Sequence, residues 1–215
     1  MTSLAAESSA KSSVKSASSR VQFMVETALL VAVTLIMGLT PLGTLRTPFL
    51  SVSLVTVPVA IAAMLIGPLG AFVCATVFGL TSLFNAVTGA SGLLSALFQI
   101  SPFGVFVTAV IARMLDGICT GLIFKGLHRF THKAPAYYLT GLAAPLLNTL
   151  FFMGSLVIFF YNSDYIQNMA AKLGTVNPMS FVITLVGVQG LIEAATGCIL
   201  GGTVGFLVAK ALHRR

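Results

Sequence analysis

The chain has 215 residues, of which 57% are hydrophobic and 8% are charged, and its formal net charge is +7. A soluble domain carries about 25% charged residues, so this composition excludes an ordinary water-soluble protein and predicts a chain dissolved in a lipid bilayer. The positive charge is not a nucleic-acid signal, because it is concentrated in loops between apolar segments, as in membrane proteins.

The sequence predicts an all-α membrane protein with two parts. Residues 1–20 are rich in serine and cannot bury enough apolar surface to fold, which predicts a disordered cytoplasmic tail. Residues 21–215 form a six-helix membrane domain, because a spanning helix takes about 20 residues. The predicted helices cover about 21–40, 52–66, 71–87, 103–127, 136–161 and 178–212.

The segments between these helices are predicted to be turns and loops. Pro41, Gly43 and Pro48 break the chain after the first helix, and residues 67–70 form a tight turn before the third. Residues 88–102 and 162–177 are predicted to be loops. Pro58 lies inside the second predicted helix and is expected to kink it.

Charge predicts the orientation of the six helices. With the N-terminus in the cytoplasm, two basic residues fall in outer loops, one lies within the membrane, and nine of the twelve fall in cytoplasmic segments: Lys11, Lys15, Arg20, Lys125, Arg129, Lys133, Lys210, Arg214 and Arg215. This bias follows the positive-inside rule. The sequence therefore predicts that both termini are cytoplasmic, and an odd number of crossings would break the rule.

Three charged residues, Arg113, Asp116 and Glu193, lie within predicted helices at membrane depth. A charge at the bilayer centre costs about 2.5–3.5 kcal/mol on insertion scales, so such residues face the protein interior and are functional candidates. Arg113 and Asp116 are three residues apart and share a helix face. Two interpretations stay open: the three charges satisfy one another in a structural network, or Arg113 offers a cation to an anionic solute.

Polar side chains in the outward half of the domain are predicted to converge on one cavity. They are Arg46, Asn85, Gln99, Arg113, Asn148, Gln189 and Glu193. Each one alone is explained as well by a hydrogen bond between helices. Together they describe an apolar hollow with a few polar groups, open outward, which is typical of a small-molecule site.

Several kinds of chemistry are not indicated. There is no phosphate-binding GxxxxGK[ST] loop, no histidine at membrane depth, and no metal-ligand spacing among the three cysteines. The chain is therefore predicted not to be an enzyme and to hold no metal or cofactor. Ala28 and Ala32 lie one turn apart on the first helix, where such a small pair lets another helix approach closely; that helix belongs either to this chain or to a partner.

Short motifs along the chain carry a resemblance to a known family. They are Ala28–Ala32, Gly67–Ala71, Phe78–Leu83, Leu147–Thr149 and Gly190–Ala194. Through them, nearly the whole chain after residue 20 resembles the substrate-binding S components of energy-coupling factor (ECF) vitamin transporters. The resemblance implies six helices in the cell membrane and a vitamin bound near the outer surface. It also implies a membrane coupling subunit and two ATPase subunits as partners, with Ala28 and Ala32 as the docking motif.

Within this family, the Asn148–Thr149 pair and Glu193 look most like the pantothenate and folate members, and we favour pantothenate. Arg46 and Arg113 suit its carboxylate, and Asn148 and Gln189 suit its hydroxyl and amide groups. Gln189 departs from the pattern, which has Asn at that place. The absence of tryptophan removes one stacking platform for folate.

Three other functions stay open from the sequence. The first is an S component for folate or a similar vitamin. The second is a structural or assembly protein of the membrane, in which the buried charges only hold helices together. The third is a small proton-coupled carrier that uses Glu193 or Asp116 as a proton relay.

Overall fold

The computed structural model describes residues 2–46, 51–131, 134–175 and 177–212. Two short strands and eight helices follow one another within these ranges: α1 (Thr2–Leu39), β1 (Thr44–Arg46), β2 (Ser51–Ser53), α2 (Thr56–Leu65), α3 (Pro68–Val87), α4 (Gly92–Ile100), α5 (Pro102–Phe130), α6 (Ala134–Phe160), α7 (Asp164–Lys172) and α8 (Pro178–Ala211). The predicted helical class is confirmed.

Five helices in the described ranges are long and apolar enough to cross a membrane. They are the Arg20–Leu39 part of α1 together with α3, α5, α6 and α8. Their ends lie within a few residues of the predicted ends. The backbone of α1 is helical from Thr2 onward, so the division of the chain at residue 20 and the disorder of the tail stay predictions.

The second predicted span is a ten-residue helix, α2, which begins at Thr56 and not near residue 52. A helix of this length is about 15 Å long, half the thickness of a bilayer core of about 30 Å. The prediction that Pro58 kinks the helix is wrong. Pro58 lies in the first turn, where the missing N–H would have had no partner within the helix.

The packing of α2 explains why such a short helix is stable in this protein. It contacts α1, α3, α5, α6 and α8, and Ala60, Ala62 and Ala63 are fully buried. The strands that precede it form an antiparallel hairpin in which Thr44 is opposite Ser53 and Arg46 is opposite Ser51. The chain therefore reaches α2 through a small sheet, and neighbouring helices cover α2 on all sides.

Two segments that were predicted to be loops contain helices. Residues 92–100 form α4, which buries Leu94 and Leu97, and residues 164–172 form α7, which buries Ile166 and Ala170. Both pairs have the three- or four-residue spacing of one helix face. The prediction of structureless loops over 88–102 and 162–177 is therefore wrong at these helices.

Two apolar clusters border the central space of the bundle. One includes Leu30, Val59 and Phe78 from α1, α2 and α3. The other includes Leu94 and Phe160 and draws on α3 to α8. Residues of both clusters line one cavity, so the core is divided around a hollow and does not close completely.

Candidate functional site

The hollow is a cavity of about 970 Å³ at the end of the bundle where α1 and α3 end. Its wall is mostly apolar, with side chains such as Val55, Phe78, Leu94, Phe152 and Val186. Polar residues that the sequence places at the site also line it: Asn85, Arg113, Asn148, Gln189 and Glu193. An apolar hollow with a few convergent polar groups is the usual composition of a small-molecule site.

Arg113 is the cation of this wall, and it is 8% exposed. It follows a π-helical turn of α5, Val107–Ile111, by two residues, and such turns are frequent at functional sites. Its Nη1 donates to the carbonyl of Ala109 at 3.0 Å. Its Nε has no hydrogen-bond partner.

The two carboxylates that act electrostatically on Arg113 each accept a hydrogen bond from a neutral donor. Asp116 accepts a hydrogen bond from the Thr120 hydroxyl at 3.0 Å. Glu193 Oε1 accepts from the Gln189 side chain at 3.1 Å. In the described part of the chain, no ion pair joins Arg113 to either carboxylate. Both carboxylates nevertheless attract Arg113 electrostatically, so the structural network and the binding role of Arg113 both stay predictions.

Two aromatic rings pack against the guanidinium of Arg113. The guanidinium carbon of Arg113 lies 4.3 Å from the ring centroid of Phe78 on α3 and 5.1 Å from that of Phe152 on α6. Both distances are within the range of a cation–π interaction. The cation is thus held by rings from two different helices.

The side chains of Asn148, Asn85 and Glu193 differ in how many hydrogen bonds they form with the protein. Asn148 is 9% exposed, and its Oδ1 has no partner. Asn85 Nδ2 donates to the carbonyl of Gly38 at 3.0 Å, which joins α3 to α1. Glu193 Oε1 also accepts from the backbone N–H of Ser53 at 2.8 Å, which joins α8 to β2.

The family model of the ECF transporter substrate-specific component matches residues 22–209 of the chain. The chain belongs to this family. It is therefore a substrate-binding subunit of an ECF transporter and not an enzyme. Family membership also implies association with the membrane and ATPase subunits of the ECF module, and the apolar helices make the chain a multi-pass membrane protein. No curated protein matches the chain.

The other predicted functional residues of the S component either do not line the cavity or have side chains outside the described residues. Gln99 is exposed on α4 and does not line the cavity. Arg46 belongs to β1, and its side chain lies outside the described residues. Ala28 and Ala32 are exposed on α1, so the contribution of both sets of residues to function stays a prediction.

Several wall residues of the S component were missed from the sequence. Phe152 lies four residues after Asn148, and Phe78 lies seven residues before Asn85, so the helical period places each beside a predicted polar residue. That spacing was a usable signal. Ser53 had none, because it meets Glu193 across a sequence separation of 140 residues.

Proposed function

We propose that this S component captures a small anionic vitamin, with pantothenate favoured, in the cavity at the outer surface and delivers it inward with an ATPase-driven coupling module. The observation that carries the proposal is the state of Arg113. It is a buried cation on a cavity wall, and it makes no salt bridge among the described residues. A buried charge needs hydrogen-bonded partners as well as nearby opposite charge, and a solute carboxylate would supply such hydrogen bonds to Arg113.

The other polar groups on the cavity wall suit the hydroxyl and amide groups of pantothenate. Asn148 Oδ1 lacks a donor, and pantothenate supplies hydroxyl and amide N–H donors. A volume of about 970 Å³ falls within the 300–1,000 Å³ that small-molecule sites span. Asn85, Gln189 and Glu193 already have protein partners, so we assign them to shaping the wall. Arg46, in the hairpin, remains a second candidate cation for the solute carboxylate.

We also propose that the protein crosses the cell membrane six times with both termini in the cytoplasm. Five crossings would put the basic C-terminal residues outside, against the positive-inside rule. The short helix α2 is compatible with a crossing because protein surrounds it. Irregular backbone is tolerated at membrane depth when protein covers it, and the hairpin before α2 would complete the passage.

The test uses purified protein in nanodiscs and a panel of vitamins, with pantothenate compared with pantothenol, its neutral alcohol analogue. We expect saturable pantothenate binding in the wild type. Arg113→Ala should weaken it by more than tenfold, about 1.4 kcal/mol, and should leave pantothenol affinity nearly unchanged. Isothermal titration measures both affinities.

Four outcomes would contradict the proposal. Saturable binding of none of the vitamins would favour a structural protein, and tight binding of folate alone would move the assignment to another vitamin. Unchanged pantothenate affinity with reduced thermal stability would make Arg113 a structural residue. Uptake into proteoliposomes driven by a proton gradient without ATPases would identify a coupled carrier.

A further inference from the structure

The contacts that hold the guanidinium of Arg113 use few of the N–H donors that an anion would bind. It has five N–H donors, all in the plane of the group. The recorded protein hydrogen bond is the one from Nη1 to Ala109. The rings of Phe78 and Phe152 approach the guanidinium carbon at 4.3 and 5.1 Å, and an aromatic face attracts a cation without accepting a classical in-plane hydrogen bond.

A carboxylate partner would act differently. Carboxylate and guanidinium pair through two parallel N–H···O bonds, which occupy the same edge that a solute carboxylate would bind. Asp116 and Glu193 are close enough for electrostatic attraction to Arg113. One oxygen of each carboxylate accepts a hydrogen bond from a neutral donor, Thr120 in the first case and Gln189 in the second, and neither carboxylate forms a salt bridge with Arg113.

We infer that Phe78 and Phe152 are positioning residues that hold the guanidinium of Arg113 against two aromatic rings, so that it stays on the cavity wall without a salt bridge and its remaining N–H donors stay available to an anionic solute. The inference rests on the proposed function. It explains how one site stays stable when empty and still binds an anion: the rings favour the cation, but they do not compete with the solute for its hydrogen bonds. Without a ring, the guanidinium is free to turn toward Glu193 or Asp116.

The binding test compares Phe152→Leu and Phe78→Leu with the wild type, using pantothenate and neutral pantothenol as probes. Each variant should weaken pantothenate binding on the order of threefold to thirtyfold and change pantothenol binding little. Phe152→Tyr, which keeps the aromatic face, should retain affinity for the anion. Phe98→Leu is the matched control, because Phe98 packs in a core cluster and does not line the cavity.

A double-mutant cycle tests whether the rings act through the cation. In an Arg113→Ala background, Phe152→Leu should no longer change pantothenate affinity, because the group that it positions is absent. Equal losses for the anion and the neutral analogue, or the same loss with and without Arg113, would overturn the inference and leave Phe152 a packing residue.

A second readout needs no solute. In protein labelled with ¹⁵N-arginine, the Arg113 Nε–H resonance should be displaced by ring currents, and Phe78→Leu and Phe152→Leu should each shift it toward its ordinary position. A resonance unmoved in both variants would overturn the inference. If the wild type binds neither probe, the proposed solute is wrong, and this spectrum still decides whether the rings hold Arg113.

Discussion

Two asparagines in the cavity wall differ in their hydrogen bonds. This difference suggests a structural role for one and a solute-binding role for the other. Asn85 Nδ2 has a backbone acceptor at 3.0 Å, whereas Asn148 Oδ1 is buried and has no partner. A buried unsatisfied polar group costs about 1–3 kcal/mol. We therefore expect Asn148 to lower the stability of the empty protein, and we propose it as a contact for the solute.

Replacing Asn148 by leucine, which is similar in size, should stabilise the empty protein and weaken solute binding. Removing the unsatisfied carbonyl should raise the unfolding midpoint by a few degrees. Asn85→Leu is the control: it leaves the Gly38 carbonyl without its donor and should lower the midpoint. Thermal unfolding in nanodiscs measures both. A lower midpoint for Asn148→Leu with unchanged affinity would show that Asn148 serves packing alone.

At this scale, the sequence located charges better than their partners. The cost of a charge in lipid was enough to select Arg113 as a candidate, and the predicted membrane depth of Asn148 was enough to select Asn148. The structure places both residues on the cavity wall. The partners of Arg113 depend on how three helices pack, which a local pattern does not encode. The sequence therefore suggested Asp116 as a pair, where the structure has two phenylalanine rings.

Among the elements, the crossing of α6 and α8 depends on glycine. A Cβ atom added at Gly141 would collide with the backbone oxygen of Gly197 and come within 2.9 Å of the backbone nitrogen of Gly202. Gly197 opens the π-helical turn of α8. The two backbones thus approach more closely than a side chain allows, as in other small-residue helix contacts in membranes.

Gly141→Ala should separate the two helices and destabilise the protein by about 1–3 kcal/mol, the usual cost of overpacking. Gly154→Ala is a matched control on the same helix, since a Cβ atom there meets nothing within 4 Å. That change should be neutral or slightly stabilising, because alanine favours the helix. Unfolding midpoints compare the pair. Equal midpoints for the two variants would contradict the role assigned to the crossing.

The long helices were predictable, and the short elements between them were not. Apolar length alone gave the ends of α6 and α8 to within about two residues, because an α-helix satisfies its own backbone hydrogen bonds in lipid. The predicted turn at 67–70 is wrong in part, because α3 already begins at Pro68. The segment at 92–100 looked like a loop because of its glycine and serine neighbours, yet two buried leucines make it a helix. The hairpin and the short α2 depend on enclosure by other helices, which no local pattern shows.

For the whole molecule, we propose the exposed face of α1 as the surface that meets a partner. Leu30 and Thr34 are buried on α1. At 100° per residue, Ala28 and Ala32 point about 160° away from that buried face, and both are exposed. The pair does not pack within the described part of this chain. Membership of the ECF family implies a membrane subunit as partner, so we assign the pair to docking.

Changing Ala28 or Ala32 to phenylalanine should abolish assembly with the ECF module and solute uptake, because a bulky ring prevents close approach of a partner helix. Solute binding by the isolated subunit should persist, since neither alanine lines the cavity. Val33→Phe adds a ring elsewhere on the exposed surface of α1 and should leave assembly intact. Co-purification with the module, transport in proteoliposomes and titration of the isolated subunit separate these effects. Loss of binding by the isolated Ala28 or Ala32 variants would mean that α1 shapes the site itself, and assembly unaffected by either change would place the docking surface on another helix.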